Sequence, residues 1–432
     1  MRFIYAHNFR GFAKTVIPLE GVSFFLGENS TGKTSILALI NLLNSPNFWF
    51  NNQFNSPDHE FGGFKDIISA NATETDVFSV GLIAKGKQKE QNTESWNGIF
   101  VSFHEVEGLP SLAYVAQLTG NRLLCLRAEG ESYKYFSMET EADFSGKAPS
   151  HVFEFLAGQI KHSEYKELPK GLPSRTPLPL LPLLSIVETL IAGKGEPKEN
   201  IFFQMPIGMS EFVWLAPIRT RPRRTYDGYG KEYSPEGEHT PYELRKRLHP
   251  TNKAKVFCSA LEKFGKVSGL FRKVGIHNLG KGAAAPFELL VTLSDSQLRI
   301  NSVGYGVSQA LPVVVEMLVR DKGAWFAIQQ PEVHLHPRAQ AALGDLLFQM
   351  TELEQKHFVI ETHSDFMVDR FRLNMRRTKQ HKVKAQVVFF ERHGDGNKLS
   401  IIPIQTDGDY SPEQPKTFRD FFVKEQLSIL GI

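Results

Sequence analysis

Apolar residues are spaced in two ways along this chain, and the change from one to the other marks its elements. Phe3 to Asn8 and Thr15 to Leu19 read as short strands around a turn at Gly11, and Val22 to Leu26 (VSFFL) as a compact apolar strand. Directly afterwards, in GENSTGKTSILALINLL, the period switches, with Ile36, Leu37, Leu39 and Ile40 at helical spacing. From about Asp76 to Glu139 short runs with Gly and Asn at their corners predict an antiparallel meander. Gly146 to Asn200 reads as helical and Pro-rich, with breaks expected at Pro169, Pro173 and Pro182 and an exposed linker at Gly193 to Glu199.

Towards the C-terminus strands and helices alternate. Asn301 to Leu318 is a Gly-rich turn opening an apolar helix, Trp325 to Ile328 a strand, and Arg338 to about Gln355 a helix. His357 to Glu361 is a strand, Phe366 to Arg377 a helix, and Ala385 to Glu391 (AQVVFFE) another strand. Such alternation, with polar turns at the strand ends, predicts an α/β sheet that presents its ligands at the carboxyl edge.

With 432 residues and 41% hydrophobic composition the chain can bury a large core, expected in two lobes, since single cores seldom grow past ~250–300 residues. A formal net charge of +3 excludes a histone-like or strongly acidic protein and leaves room for a local basic patch. Cys125 and Cys258 are far apart in sequence and form no ligand set, so a reducing cytosol is the default. The opening MRFIYAHNFRGF lacks the apolar run of a secretory leader. Pro177 to Gly193 is the most apolar stretch, but its prolines and Glu188 make it a poor membrane span. A soluble, cytoplasmic protein is expected.

Gly27-Glu28-Asn29-Ser30-Thr31-Gly32-Lys33-Thr34 fits the phosphate-loop pattern, with the strand before it and the apolar helix after it that such a loop requires. Glycines let backbone N–H groups turn inward around phosphates, and the helix that follows presents its positive end. Asn29, Ser30, Thr31, Gly32, Lys33, Thr34 and Ser35 are thus the candidate nucleotide contacts. Lys33 would reach the outer phosphates, and the Thr34 hydroxyl a magnesium ion. A nucleoside triphosphate is the expected ligand.

Residues 214–247 hold Arg219, Arg221, Arg223 and Arg224 interleaved with Tyr226, Tyr229 and Tyr233. They suit a grip on the phosphates of a nucleic acid or nucleotide. They suit equally a solvated loop balanced by Asp227, Glu232 and Glu236, or a subunit interface. His334 and His336 alternate as a metal pair would, but no further ligand stands nearby to complete a zinc site.

Taken together, NFRGF, GENSTGKTS, FGGFKDI, APIRTRP, VGYGVSQALP, QQPEVHLHP and ETHSD resemble, in that order, the RecF/SMC-like branch of ABC-type ATPases. That group includes OLD-family and AAA_15/DUF3696-like proteins. The resemblance implies an ABC-type ATPase head with a mixed β-sheet core, interrupted by an inserted β-meander and helical lobe. The division expected is 1–75 for the N-terminal part of the head and 76–145 for the β lobe. The helical insertion, with its basic loop, takes 146–285, and the C-terminal part of the head takes 286–432. The resemblance further implies that two heads sandwich ATP, the phosphate loop of one facing the signature stretch Gly304–Gln309 of another, with Gly306, Ser308 and Gln309 at the shared nucleotide. His363 matches a switch histidine that senses the γ-phosphate.

Two departures from the pattern bear on chemistry. The signature reads Tyr305-Gly306-Val307-Ser308-Gln309, where relatives carry Ser-x-Gly-Gly followed by Gln or Glu. Gln329 and Gln330 occupy the positions of the acidic pair that supports magnesium and activates water, and glutamine has no charge and no usable base. Losing a general base removes roughly 10²–10⁴-fold in rate, while nucleotide binding survives. Glu332, two residues on, is a candidate substitute. Two explanations stand: a naturally weak hydrolase that works as an ATP-gated switch, or an acid-to-amide change that traps ATP.

By resemblance, the expected function is an ATP- and Mg2+-dependent subunit that oligomerises and controls a partner effector, a nuclease or toxin. Relatives act in this way in bacterial anti-phage defence, as in Septu-like and PARIS-like systems. After Phe390 the chain reads as a hairpin and a terminal helix, Pro415 to Leu430, without the acidic cluster of a Toprim nuclease, so the effector is expected on another chain. The alternative is a RecF-like DNA-clamping ATPase, using Arg219 to Arg224 together with Arg370, Arg372, Arg376 and Arg377.

Overall fold

The computed structural model describes the chain apart from residues 57–58, 71–75, 88–93, 131, 143, 145, 163, 169–179, 193–210, 249–251, 395 and 421–432. The linker expected at Gly193 to Glu199, the breaks at Pro169 and Pro173, and the terminal helix beyond residue 420 lie outside the described residues. Two compact units are formed. The first comprises Met1–Glu20, Glu28–Met209 and Phe390–Leu399, and the second Gly21–Gly27, Ser210–Phe389 and Ser400–Ile432.

In the first unit, strands β1 (Arg2–Phe9) and β2 (Phe12–Leu19) form a hairpin around the Arg10-Gly11 turn. Strand β3 (Val22–Gly27) departs to the other unit, and the chain continues through helices α1 (Lys33–Asn44), α2 (Pro46–Asn51) and α3 (Phe64–Ile67). The expected meander is β4 (Val77–Lys87), β5 (Glu94–Val106), β6 (Leu109–Thr119), β7 (Arg122–Glu129) and β8 (Ser132–Glu139), followed by the short β9 (Lys166–Glu167). Their order is β2-β1-β4-β5-β6-β7-β8-β9 in one antiparallel sheet, so the sequence boundary drawn at residue 75 falls inside it. Alternation decides the register: Ala6 faces Val80, Val80 faces Val101, and Val101 faces Val115. One face packs Tyr5, Phe100 and Tyr114 against Val152, Phe153 and Leu156 of α4 (Pro149–Gly158). Helix α5 (Leu180–Ala192) carries Pro182 in its first turn, where the missing N–H would have no helical partner in any case. Contrary to the sequence expectation, Pro182 therefore breaks nothing.

In the second unit the parallel strands β10 (Phe212–Leu215), β14 (Trp325–Gln329) and β15 (His357–Glu361) pair in turn, and β3 pairs with β15. With β16 (Ala385–His393) and β17 (Gly396–Ile404) they make a mixed sheet of order β10-β14-β15-β3-β16-β17. A smaller antiparallel sheet holds β11 (Lys273–Asn278), β12 (Phe287–Thr292) and β13 (Gln297–Arg299). The parallel strands are buried on both faces, which is why they read as unbroken apolar runs. Helices α6 (Thr240–Arg247), α7 (Asn252–Ser268), α8 (Tyr305–Val319), α9 (Pro337–Glu354) and α10 (Asp365–Arg377) complete this unit. The caps of α9 and α10 are legible in the sequence. His336 accepts the Arg338 N–H ahead of Pro337, and Ser364 accepts the Met367 N–H with Asp365 in the first turn and Arg376 and Arg377 in the last. α9 approaches α10 so closely that a Cβ on Gly344 would lie 2.4 Å from the Met367 carbonyl oxygen. Among the described residues no helix is long and apolar enough to cross a membrane.

Candidate functional site

The phosphate loop runs from the last residue of β3 to the first of α1. Gly27, Ser30 and Gly32 all have positive φ (138°, 60° and 90°), the left-handed backbone that winds such a loop. Gly32 is required on two counts, because besides its φ a Cβ there would lie 2.5 Å from the Phe12 ring. Thr31 Oγ1 and Lys33 Nζ both donate to the Glu28 carbonyl, at 2.8 and 2.6 Å, and Arg392 Nη2 donates to the Ser30 carbonyl at 2.8 Å. α1 starts without a side-chain cap and without an acidic residue in its first turn. Its positive dipole end therefore meets no carboxylate from the helix's own first turn. Asn29, Ser30 and the Thr34 side chain are exposed, Gly32 and Ser35 half-buried, and Thr31 and Lys33 buried.

The parallel register brings three strand ends into line in the second unit. Gln329 on β14 pairs with Glu361 on β15, and Glu361 with Phe25 on β3, two residues before the phosphate loop opens at Gly27. At this edge Gln329 Nε2 donates to Glu361 Oε2 over 3.3 Å, and both side chains are buried. Gln330 adopts φ 41°, and its N–H donates to the Glu361 carbonyl at 2.7 Å. Glu332 is buried. Its Oε1 accepts the backbone N–H of His363 at 2.7 Å. Burial pushes the Glu332 carboxyl above the usual carboxylate range, against the pull of the backbone N–H groups of His363 and of Glu332 itself, the Thr362 side chain and the Arg219 charge. The His363 side chain is exposed.

Arg219 departs from the surface cluster expected of it. Only 1% exposed, it donates Nη2 to the Gln329 carbonyl at 3.0 Å and Nη1 to the Gln330 carbonyl at 3.5 Å. Burial lowers its pKa to about 10, with Glu332 acting in the opposite direction. A carbonyl pair and a buried carboxylate need a fixed planar cation, which accounts for arginine here. Arg221, Arg223 and Arg224 are exposed. Glu361 is not among the candidate site residues read from the sequence, and strand order, which brings β15 beside β14, places it against Gln329.

The signature stretch opens α8. Ser308 donates to the Tyr305 carbonyl at 2.8 Å and is buried, as is Gln309, whose Nε2 has no hydrogen-bond partner among the described residues. What the helix presents outward is Gly304 and Tyr305, the latter 40% exposed and edge-on to the His334 ring at 5.0 Å, with Gly306 half-buried. Ser308 and Gln309 thus sit beneath the surface where the sequence placed them at a shared nucleotide.

Magnesium with a nucleotide takes oxygen ligands, commonly one or two carboxylates besides phosphate oxygens and waters. Gln329 offers a neutral amide, but the adjoining Glu361 offers a carboxylate, and Glu332 a second, buried one. With these carboxylates beside the Gln329 amide, the donor set at this edge fits a hard cation.

The AAA ATPase domain family (AAA_15) matches residues 1–103 and 225–368. An OLD nuclease of Thermus scotoductus (strain ATCC 700910 / SA-01) is 29% identical over 113 residues, covering 25% of this chain and 21% of that protein. The chain thus spans about a fifth of the length of this curated relative. Solved structures with some similarity include an SMC head bound to the C-winged helix domain of ScpA, with TM-score 0.45, 11% identity, and coverage of 93% of this chain and 98% of that one. The SMC head domain from Thermotoga maritima gives TM-score 0.39 and 10% identity over 94% of this chain and 100% of that one.

Proposed function

Because the chain belongs to the AAA_15 family of AAA ATPase domains, we propose that it binds ATP with magnesium through Gly27–Thr34 and hydrolyses it slowly. The observation that carries this reading is the pairing at the sheet edge. Gly27, where the phosphate loop opens, ends β3 in the same sheet as β14 and β15, whose last residues are Gln329 and Glu361, and with glutamine at 330 no base stands there to take a proton from water. Lys33 and the N-terminal end of α1 take the outer phosphates, Thr34 the magnesium ion, and His363 reports the γ-phosphate to the Glu332 turn through the Glu332–His363 hydrogen bond.

A protein that keeps ATP bound is suited to switching. In our reading two or more copies close around ATP, the exposed end of the signature helix (Gly304 and Tyr305) meeting the nucleotide of another copy, with Ser308 and Gln309 supporting it from beneath. The closed assembly controls a separate effector, a nuclease or toxin, in bacterial anti-phage defence in the cytoplasm. Size measurement with and without ATP tests the assembly: larger particles only with ATP support it, and a mass indifferent to ATP refutes it. Co-purification with a neighbouring gene product tests the effector.

One observation favours a second reading, a DNA-clamping ATPase. Arg221, Arg223 and Arg224 are exposed beside Tyr229, itself 83% exposed. ATP-dependent binding to duplex DNA that falls steeply with salt, and that is lost when these three arginines become alanine, would favour it.

A further inference from the structure

We infer that Glu361 carries the acidic, magnesium-supporting role that Gln329 has given up, so that acid and amide have exchanged places across adjacent strands. This rests on the nucleotide-binding reading above and concerns which side chain serves the metal there.

The two residues are register partners on parallel strands, each the last residue of its strand, and their side chains meet through Gln329 Nε2 and Glu361 Oε2 at 3.3 Å. The carboxylate thus stands one strand, or about 4.8 Å, from the place where an acid at the end of β14 would put it. Both side chains are at least nine-tenths buried, Gln329 at 7% and Glu361 at 5% exposure. A carboxylate placed so deep is costly without a donor or a cation. The Gln329 amide is such a donor.

The same geometry explains why residue 329 is not acidic. Two carboxylates at this separation repel, and without a cation one of them must take up a proton. One acid and one amide avoid that cost, and a cation finds the same pair of groups, a charged and a neutral oxygen donor, in either arrangement. The exchange leaves residue 330 untouched. Metal support is therefore retained while activation of water is not, which suits a site that holds its nucleotide.

The test measures ATP binding by calorimetry with Mg2+ and again with EDTA, and the electron paramagnetic resonance of Mn2+ added with ATP. It compares the unmodified protein, E361Q, and the exchanged double variant Q329E/E361Q, with thermal melting to establish folding. Mg2+ should tighten ATP binding to the unmodified protein. In E361Q the ratio of affinities with and without metal should fall by roughly 10–100-fold, with loss of the bound Mn2+ signal, and the double variant should recover both. A full metal effect in E361Q, or no recovery in the exchanged pair, would overturn the inference. Should E361Q fail to fold, the double variant decides, because it keeps one acid and one amide. Failure of the underlying reading is distinct: the unmodified protein would bind no ATP with or without metal.

Discussion

Glu332 and His363 are joined by a 2.7 Å hydrogen bond from the His363 backbone N–H to Glu332 Oε1, tying the turn after β14 to the loop after β15. The two segments that would meet the γ-phosphate and its water are thus one hydrogen-bonded unit. Burial holds the Glu332 carboxyl above the usual carboxylate range.

That burial has a sign. A carboxyl group whose folded pKa is raised contributes most below its unfolded value, and loses that contribution as pH rises through the folded one. Glu332→Gln keeps an acceptor for the His363 N–H and removes the buried charge. The variant should therefore melt higher than the parent at about pH 8 and match it at about pH 4. Glu332→Ala, which strands the N–H, should lose roughly 1–3 kcal/mol. Calorimetric melting at both pH values checks this, and a Gln variant that is less stable at the higher pH contradicts it.

Arg219 predicts a contrast within one sequence cluster. Arg219→Ala uncovers the Gln329 and Gln330 carbonyls and the Glu332 charge, and should cost roughly 3 kcal/mol in urea unfolding. Arg224→Ala, at the surface, should stay within about 0.5 kcal/mol. Equal effects would refute the buried role.

Lys33 is 3% exposed and reaches the Glu28 carbonyl. Lys33→Ala should weaken ATP binding by about 10²-fold through loss of a charge-assisted contact to phosphate. Titration calorimetry checks it, and undiminished affinity would place the nucleotide elsewhere.

How much of this was legible in the sequence varied with how local the cause is. The runs Val22 to Leu26 and His357 to Glu361 became β3 and β15 nearly to the residue, because strands buried on both faces leave an unbroken apolar stretch between polar turns. The tight turn of Gly27–Gly32 into α1 was legible because glycine spacing and the following helix are contiguous. Arg219 was not, since nothing in RTRPRR distinguishes the arginine that turns inward from the three that face water. Glu361 was missed as a partner of Gln329 because their encounter depends on β15 lying beside β14, a pairing between residues 32 positions apart. The joining of β1 and β2 to the meander is likewise a matter of long-range pairing.

Gln330 is where water activation is predicted to be missing. Gln330→Glu should raise ATP turnover by about 10²–10⁴-fold, read as phosphate release under saturating ATP and Mg2+. Turnover unchanged in this variant would mean that the slow step lies elsewhere.

The central claim, that the protein holds ATP and turns it over slowly, is met most directly by one measurement on the unmodified chain. Incubate it with radiolabelled ATP and Mg2+, separate protein from free nucleotide at intervals, and identify what remains bound. The account predicts that the bound label stays ATP, with release of phosphate near background. Rapid conversion of bound ATP to ADP, with steady phosphate release, would contradict it.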